Sequence, residues 1–412
     1  MGVELVPVAE VFAANQVNAT VFRQSPLCSW AGRQYAGFYD PAGEIMLASR
    51  QRDARTWTFR PLGYRGVMRD AHNAVSLGIS REGLLHIAYD HHGARLHYRR
   101  GIAPGEMRFG PETPMTGHLE EHVTYPQFVA SPDGRFYFVY RDGGSGNGDL
   151  CLNLWTGEGW QVLRHPLISG EGRCNPYWWR PGVGPDGSLH LAWCWRRTGD
   201  ARTNRDVCYA VSRDGGHSWL RTDGSPYRLP ITSEQAEVAD PVPEGQNLIN
   251  QCSSFVDGLG RPHLVHYRND AEGIPQIFHV HFDGVAWRAA PVSARTQPFS
   301  LAGGGTLRPP LSRPDVVVSS GGTAYVIYRD DESGGRVRVS WADAPEYRIW
   351  SHQDVTDFPV GAWEPSHDPV AWQDEQHLDL WVQRCEQGDH EVTTDLRAQQ
   401  AYVLRVLPAA GD

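Results

Sequence analysis

The sequence predicts an all-β protein: a seven-bladed β-propeller of four-stranded antiparallel blades, with residues 1–412 forming a single domain. Three observations carry that reading. The composition sets 15 Trp, 16 Tyr and 13 Phe among 44 Gly and 29 Pro, the balance of many short strands between frequent turns. A turn-plus-strand unit recurs along the chain. A last strand near the C-terminus is suited to close a ring. No apolar helical stripe persists long enough to build a helical domain.

The recurring unit is a Ser/Asp-x-x-Gly turn followed by an alternating or apolar strand that usually ends in an aromatic. Asp40-Pro41-Ala42-Gly43 precedes Ile45-Met46-Leu47, and Ser80-Arg81-Glu82-Gly83 precedes Leu85-His86-Ile87-Ala88-Tyr89. Ser131-Pro132-Asp133-Gly134 leads into Phe136–Tyr140, and Gly184-Pro185-Asp186-Gly187 into Leu189–Trp193. Asp257-Gly258-Leu259-Gly260 precedes His263–Tyr267, and Ser319-Ser320-Gly321-Gly322 precedes Ala324–Tyr328. A seventh copy, Asp374-Glu375-Gln376-His377 before Leu378–Trp381, lacks the glycine. The six glycines are 40, 51, 53, 73 and 62 residues apart, and Gln376 lies 54 further on. Such intervals suit four-stranded blades with unequal loops. Closing the blades into a ring removes most exposed strand edges. The strand Ala401–Val406 is expected to pair with the Val6–Phe12 region and complete it.

Ser212-Arg213-Asp214-Gly215-Gly216-His217-Ser218-Trp219 fits the Asp-box pattern S-x-D-x-G-x-[ST]-W, a structural hairpin in which Asp caps the turn and Trp packs between strands. Thr198–Arg205, Thr232–Gly245 and Ala294–Arg313 read as longer loops at a propeller face, where specificity resides.

A net charge of −10 argues against a nucleic-acid surface. All 38 cationic residues are Arg, so a Schiff-base lysine is excluded and Arg, His or a metal must meet any substrate carboxylate. Seven cysteines, odd in number and without a CxxC pair, read as buried reduced thiols. Met1-Gly2-Val3-Glu4-Leu5 lacks a basic region and an apolar run, so no signal peptide is read there. No segment approaches membrane-spanning length. The expectation is a soluble monomer, cytoplasmic as the sequence stands and periplasmic or secreted if a leader precedes it.

The chemistry concentrates between Asp70 and Asp149, where histidines, a tyrosine and an arginine sit at predicted strand ends. His72 and His92 are 20 residues apart, one hairpin's separation, and Tyr125 and Arg141 are 16 apart, again one hairpin. Blade neighbours at a central funnel would converge on one pocket. The plain alternatives are structural histidines, a salt bridge from Arg141 to Asp142 or Asp149, and packing of Tyr125 before Pro126. The run Gly143–Asp149 lacks the lysine and helix of a phosphate loop. It reads as a tight turn, or as backbone that approaches a sugar closely.

Asp70-Ala71-His72-Asn73, Asp90-His91-His92, Thr124-Tyr125-Pro126 and Tyr140-Arg141 with Gly144–Asp149 resemble the seven-bladed propeller polysaccharide lyases. That group includes the ulvan lyases and the rhamnose–α-1,4-glucuronate lyases. Weaker similarity runs through Gly37–Asp40, Trp193–Arg196, Arg261–His263 and Trp363–Pro365. The resemblance implies a uronate-containing oligo- or polysaccharide as partner, with His72, His92, Tyr125 and Arg141 catalytic. Elimination at a 4-linked uronate independently calls for such a set. A cation must neutralise the carboxylate, a base must take the C5 proton, and an acid must protonate the leaving oxygen. Arg141 suits the first role. His72 and Tyr125 are the candidates for base and acid, undivided between them, with His92 sharing that work or binding the carboxylate. Asn73, His91 and Arg196 are candidate substrate contacts. An α-L-rhamnosidase and a non-catalytic glycan-binding propeller are the competing readings.

The chemistry needs no cofactor. Cys252, His263, His266, His279 and His281 fall on three successive predicted strands, a candidate group for structural zinc whose spacing fits no standard zinc pattern. A central-channel calcium is the other metal considered.

Overall fold

The predicted turns fold alike in the computed structural model, which describes residues 1–21 and 25–407. In each of the six, the glycine N–H donates to the carbonyl of the first turn residue at 2.9–3.0 Å, and that first residue's N–H donates back four residues on. All six glycines hold φ between 74° and 92°, in the left-handed region that side chains avoid. Seven antiparallel sheets result, arranged as a ring of blades.

Numbered in chain order, the first blade uses Leu27–Trp30, Arg33–Tyr39, Glu44–Gln51 and Thr58–Arg65 from the axis outward. Here the turn at Asp40–Gly43 joins the second and third strands, whereas Ser80–Gly83 and the four that follow join first and second. This explains the short first interval. Blades three, five and six carry four full strands each, ordered as in the sequence, with one extra strand on blade three. In blade four the innermost strand is split into Asn175–Trp178 and Gly182–Val183. Its outermost strand is Glu237–Asp240, so part of the expected loop Thr232–Gly245 is a strand.

Blades two and seven depart from four regular strands. Blade two keeps three, Ser76–Ile79, Leu85–Ala88 and Tyr98–Arg100. Its outer edge is a single bridge, Gly101 to Phe109, and Pro104 within it and Pro111 and Pro114 after it lack the donors a ladder needs. Blade seven has no regular inner strand. One bridge, His367 to Leu380, takes that place, and the helix Pro369–Glu375 follows, capped by Asp368. Gln376 ends this helix at φ 56°, so the copy without glycine still uses the left-handed turn. The outer strand of blade seven is the N-terminal Gly2–Val11, paired with Gln399–Leu407 with Val6 opposite Val403. The ring closes as expected.

Large aromatics fill the gaps between blades: Trp178, Trp179, Trp193, Trp195, Trp219, Trp363, Trp372 and Trp381 are all fully buried. The Asp-box forms at the third-to-fourth strand turn of blade four. Asp214 accepts from Ser218 N at 2.9 Å and Oγ at 2.6 Å, and Trp219 is buried. All seven cysteines are buried and unpaired. No helix among the described residues is long and apolar enough to cross a membrane.

Candidate active site

One carboxylate organises the histidines. Asp70 precedes a short 3-10 turn, Ala71–Asn73, and caps it by accepting from His72 N at 2.9 Å. The same side chain meets His72 Nδ1 at 2.7 Å and His92 Nδ1 at 2.5 Å. The two imidazoles stack, centroids 3.9 Å apart and planes 11° from parallel. With both Nδ1 atoms turned to Asp70, Nε2 of each ring is left as the lone-pair nitrogen. Burial pushes the His72 pKa below its usual value; the hydrogen bond that His72 donates to Asp70 opposes this, and neighbouring His92 adds to it. The two imidazoles hold the Asp70 carboxyl far below the ordinary range despite burial, which acts the other way.

His92 lies on the short strand His92–Ala94, which leaves blade two and pairs with the inner strand of blade three, Val123–Ala130. It therefore bridges two blades. On that inner strand Thr124 pairs with Arg141 and Gln127 with Val139, so the ladder skips at Tyr125-Pro126. This bulge holds Tyr125 at φ 58° and turns its ring toward the funnel. The ring sits 5.6 Å from His72 and 4.9 Å from the Arg141 guanidinium carbon, spanning the two within one sugar-sized site. Burial raises the Tyr125 hydroxyl pKa well above its usual value, against the pull of Arg141.

Arg141 donates through Nε to Gly143 O and through Nη2 to Thr124 Oγ1, both at 3.2 Å. A Cβ at Gly148 would stand 2.6 Å from Arg141 Cδ, so glycine there makes room for the arginine stem. Tyr177 joins the group from blade four. Its hydroxyl lies 3.5 Å from Arg141 Nη1 and 3.3 Å from Arg196 Nη1. Burial alone would raise the Tyr177 pKa, but the two guanidinium groups outweigh it and lower the net value. Neither Arg141 nor Arg196 joins an ion pair among the described residues, and both are almost wholly buried. Two buried cations without a carboxylate make a site prepared for an anion.

These groups line a cavity of about 360 Å³ at the axial funnel. Blades two, three and four supply one wall. Leu301, Gly304–Leu307 and Pro309 from the expected loop Ala294–Arg313, and Gly199 and Ala201 from the loop Thr198–Arg205, also line the cavity. Gly143, Gly144 and Ser145, from the glycine-rich turn, line it too.

A family model of BNR repeat-containing family members matches residues 33–295. The chain belongs to that family. Among solved structures, this BNR-repeat protein is similar to the polysaccharide lyase Uly1, with TM-score 0.72 and 14% identity over 98% of each chain. It is also similar to a PL25 ulvan lyase, with TM-score 0.71, 16% identity and 98% of each chain covered. The PL25 ulvan lyase bound to -[GlcA(1-4)Rha3S]- gives TM-score 0.72 and 17% identity, again over 98% of each chain. At these identities the likeness is one of fold. No curated protein matches the sequence.

The BNR-repeat chain brings His72, His92, Tyr125, Arg141 and Arg196 together, but not Asn73 or His91. Asn73 donates to Val67 O at 2.9 Å and its carbonyl accepts from Tyr39, which fixes the turn behind the site. His91 is fully buried, accepts from His97 N at 2.8 Å, and burial takes its pKa down to about 3. Both are scaffold. The candidate zinc group also separates. His263, His279 and His281 share one face of their hairpin, with His263 Nδ1 2.9 Å from His279 Nε2. His266 alternates to the other face and bonds Asp240 at 2.9 Å. Cys252 lies near Arg313 instead. Among the described residues, the ligand-type atoms that cluster tightly enough for a metal ion belong to Asp70, His72, His92 and Glu391, within 4.8 Å of one another. Hydrogen bonds account for the closest of these contacts without an ion. Asp70, Tyr177, Thr306, Arg313 and Glu391 were not singled out from the sequence. Only Asp70 carried a local signal, as the cap of a turn that begins with a histidine.

Proposed function

We propose that this protein is a carbohydrate lyase that cleaves a 4-linked uronate glycosidic bond by β-elimination, rhamnosyl-glucuronate being the favoured linkage. The observation that carries the reading is the pair of buried, carboxylate-free arginines, Arg141 and Arg196, beside two carboxylate-oriented histidines in one cavity. The fold shared with an ulvan lyase bound to a glucuronate–rhamnose oligosaccharide is consistent with it.

The roles follow from protonation. Arg141 neutralises the substrate carboxylate, which makes the C5 proton acidic and stabilises the enolate-like transition state. His72, kept neutral by burial, accepts that proton at Nε2. The electron pair from C5 forms the C4–C5 double bond as the C4–oxygen bond breaks. Tyr125, kept protonated by its raised pKa, gives its proton to the departing oxygen. The proton gained by His72 then returns to Tyr125 to reset the site.

The product has a double bond conjugated to the carboxyl group and absorbs ultraviolet light; hydrolysis and binding create no such group. Incubation with ulvan, rhamnose–glucuronate oligosaccharides and gum arabic, following absorbance and reducing ends together, is the test. Arg141→Ala should slow absorbance growth at least about 100-fold, and Tyr125→Phe comparably with the fold intact. New reducing ends without absorbance would mean hydrolysis, as in a rhamnosidase. Binding with neither signal would mean a glycan-binding propeller.

A further inference from the structure

Asp90 stands between the second strand of blade two, Leu85–Ala88, and His92, with φ 67°. In that left-handed region glycine is at ease and a residue with a side chain is not. Six turns of this molecule use glycine there, but here the chain keeps a carboxylate, buries it and employs both oxygens. Oδ1 accepts from Val67 N at 2.9 Å, and Oδ2 accepts from the Tyr64 hydroxyl at 2.7 Å. Tyr64 belongs to the outer strand of blade one, and Val67 to the connection that follows it.

Val67 is bonded at its other polar atom too: its carbonyl accepts from Asn73 Nδ2 at 2.9 Å. The Val67 side chain is 57% exposed, so this residue takes part through its backbone. Asp90 comes two residues before His92, and Asn73 one residue after His72. Asp90, Val67 and Asn73 therefore tie together the two backbone segments that carry the imidazoles. The ladder between those segments ends at Ser76 opposite Ala88, four residues short of each histidine. Packing fixes His92 only in part, since its side chain is 38% exposed. On its other side Gly93 N donates to Thr124 Oγ1 at 2.8 Å, which holds His92 to blade three.

We infer that Asp90 is a positioning residue for the histidine pair. With Asn73, through the backbone of Val67, it sets the spacing at which His72 and His92 stack and share Asp70. The consequence for rate rests on the lyase reading; the consequence for the geometry of the pair does not. A proton acceptor about 1 Å out of place can lose about 100-fold in rate, so a small slip is readable.

The experiment compares Asp90→Gly, Asp90→Asn, Asn73→Ala and the double variant Asp90→Gly/Asn73→Ala with the unaltered chain. One readout is NMR of the Nδ1–H signals of His72 and His92 in histidine-labelled protein, assigned by their loss in His72→Ala and His92→Ala. The other is kcat and KM for formation of ultraviolet-absorbing product from rhamnose–glucuronate oligosaccharides. Asp90→Gly relieves the backbone and removes only the carboxylate. It should shift both signals and lower kcat about 10-fold or more, with KM within about 2-fold. Asp90→Asn keeps an acceptor for Val67 N and an amide that can donate to the Tyr64 hydroxyl. It should keep both signals and stay within about 3-fold of the full rate. Asn73→Ala cuts the same link at its other end and serves as the test should Asp90→Gly not fold. The double variant should lose no more than the worse single one, because both act through Val67. Unmoved histidine signals in Asp90→Gly and Asn73→Ala would overturn the inference, whatever the rate. So would a rise in KM with kcat preserved, which would place the effect on substrate binding. Absence of absorbing product from the unaltered protein would overturn the lyase reading, and the histidine signals would still decide the role of Asp90.

Discussion

Asp70 serves two imidazoles with one carboxylate, and this sharing sets the acid–base properties of the site. Its negative charge opposes the effect of burial on His72 and fixes Nδ1 as the protonated nitrogen of both rings. Asp70→Asn keeps the size but offers one acceptor instead of two and no charge. The rate should fall at least about 10-fold, through loss of the correct tautomer. The sign of the accompanying pH effect follows from the reacting form. On the proposed mechanism His72 acts neutral, so activity is lost on acidification through its pKa. Removing the anion lowers that pKa further, and the acid limb of the pH–rate profile should move to lower pH. A variant that merely loosened the Ala71–Asn73 turn would lose rate with the limb unmoved. Arg141 and Arg196 work by the complementary principle. Each is buried beside Tyr177 without a carboxylate partner among the described residues, and on the proposed mechanism the anionic sugar compensates that charge.

At the scale of the element, six hairpins share one geometry and differ in what surrounds them. Gly260 has φ 74° and nothing within 4 Å of where a Cβ would stand. Gly260→Ala should therefore cost only the left-handed penalty, about 1 kcal/mol in a urea or thermal melt. Gly83 has φ 82°, and there a Cβ would lie 2.3 Å from the Trp30 ring. Gly83→Ala adds overpacking to the same penalty and should cost about 2–4 kcal/mol. Equal losses at the two positions would mean that the blade-one to blade-two contact at Trp30 is soft. The bulge at Tyr125 shows the same economy of local structure: one skipped residue aims a side chain at the funnel without disturbing the rest of the ladder.

Across the whole molecule two properties follow from closure and burial. Removing residues 1–11 would strip the outer strand from blade seven and expose the Gln399–Leu407 edge, along with the surface that Val6 and Val11 cover. The truncated chain should melt at lower temperature or aggregate, as an open ring with a bare edge does. The second property is acid sensitivity. Burial takes His86, His91 and His190 down to about 3, far below the value near 6.5 of an unfolded chain. Their folded-state pKa values are depressed, so they contribute stability in full above about pH 6.5. That contribution is lost as pH falls toward about 3, because the unfolded chain takes up protons first. Each histidine adds a slope approaching about 1.4 kcal/mol per pH unit in that window. Melting temperature should drop steadily from pH 6 to pH 4; a flat profile would mean that these rings are charged in the native state.

The all-β class, the blade count and ring closure were legible in the residues because their signals are local. A glycine at a left-handed turn, an alternating strand and the pattern of an Asp-box act within about ten residues, and hydrogen bonding acts on them directly. The pairs His72 with His92 and Tyr125 with Arg141 were legible for the same reason, each separated by one hairpin. Asn73 and His91 sit beside His72 and His92 in sequence, yet neither lines the cavity: Asn73 donates to Val67 O and His91 accepts from His97 N. Tyr177, Thr306 and Glu391 belong to blades four to seven or their connections, and Thr306 is 234 residues from the histidine it approaches. No short-range rule links such positions. Only closure of the ring brings seven separate blades to one axis, and it alone decides that the connection between blades five and six reaches Asp200 on one side and His72 on the other.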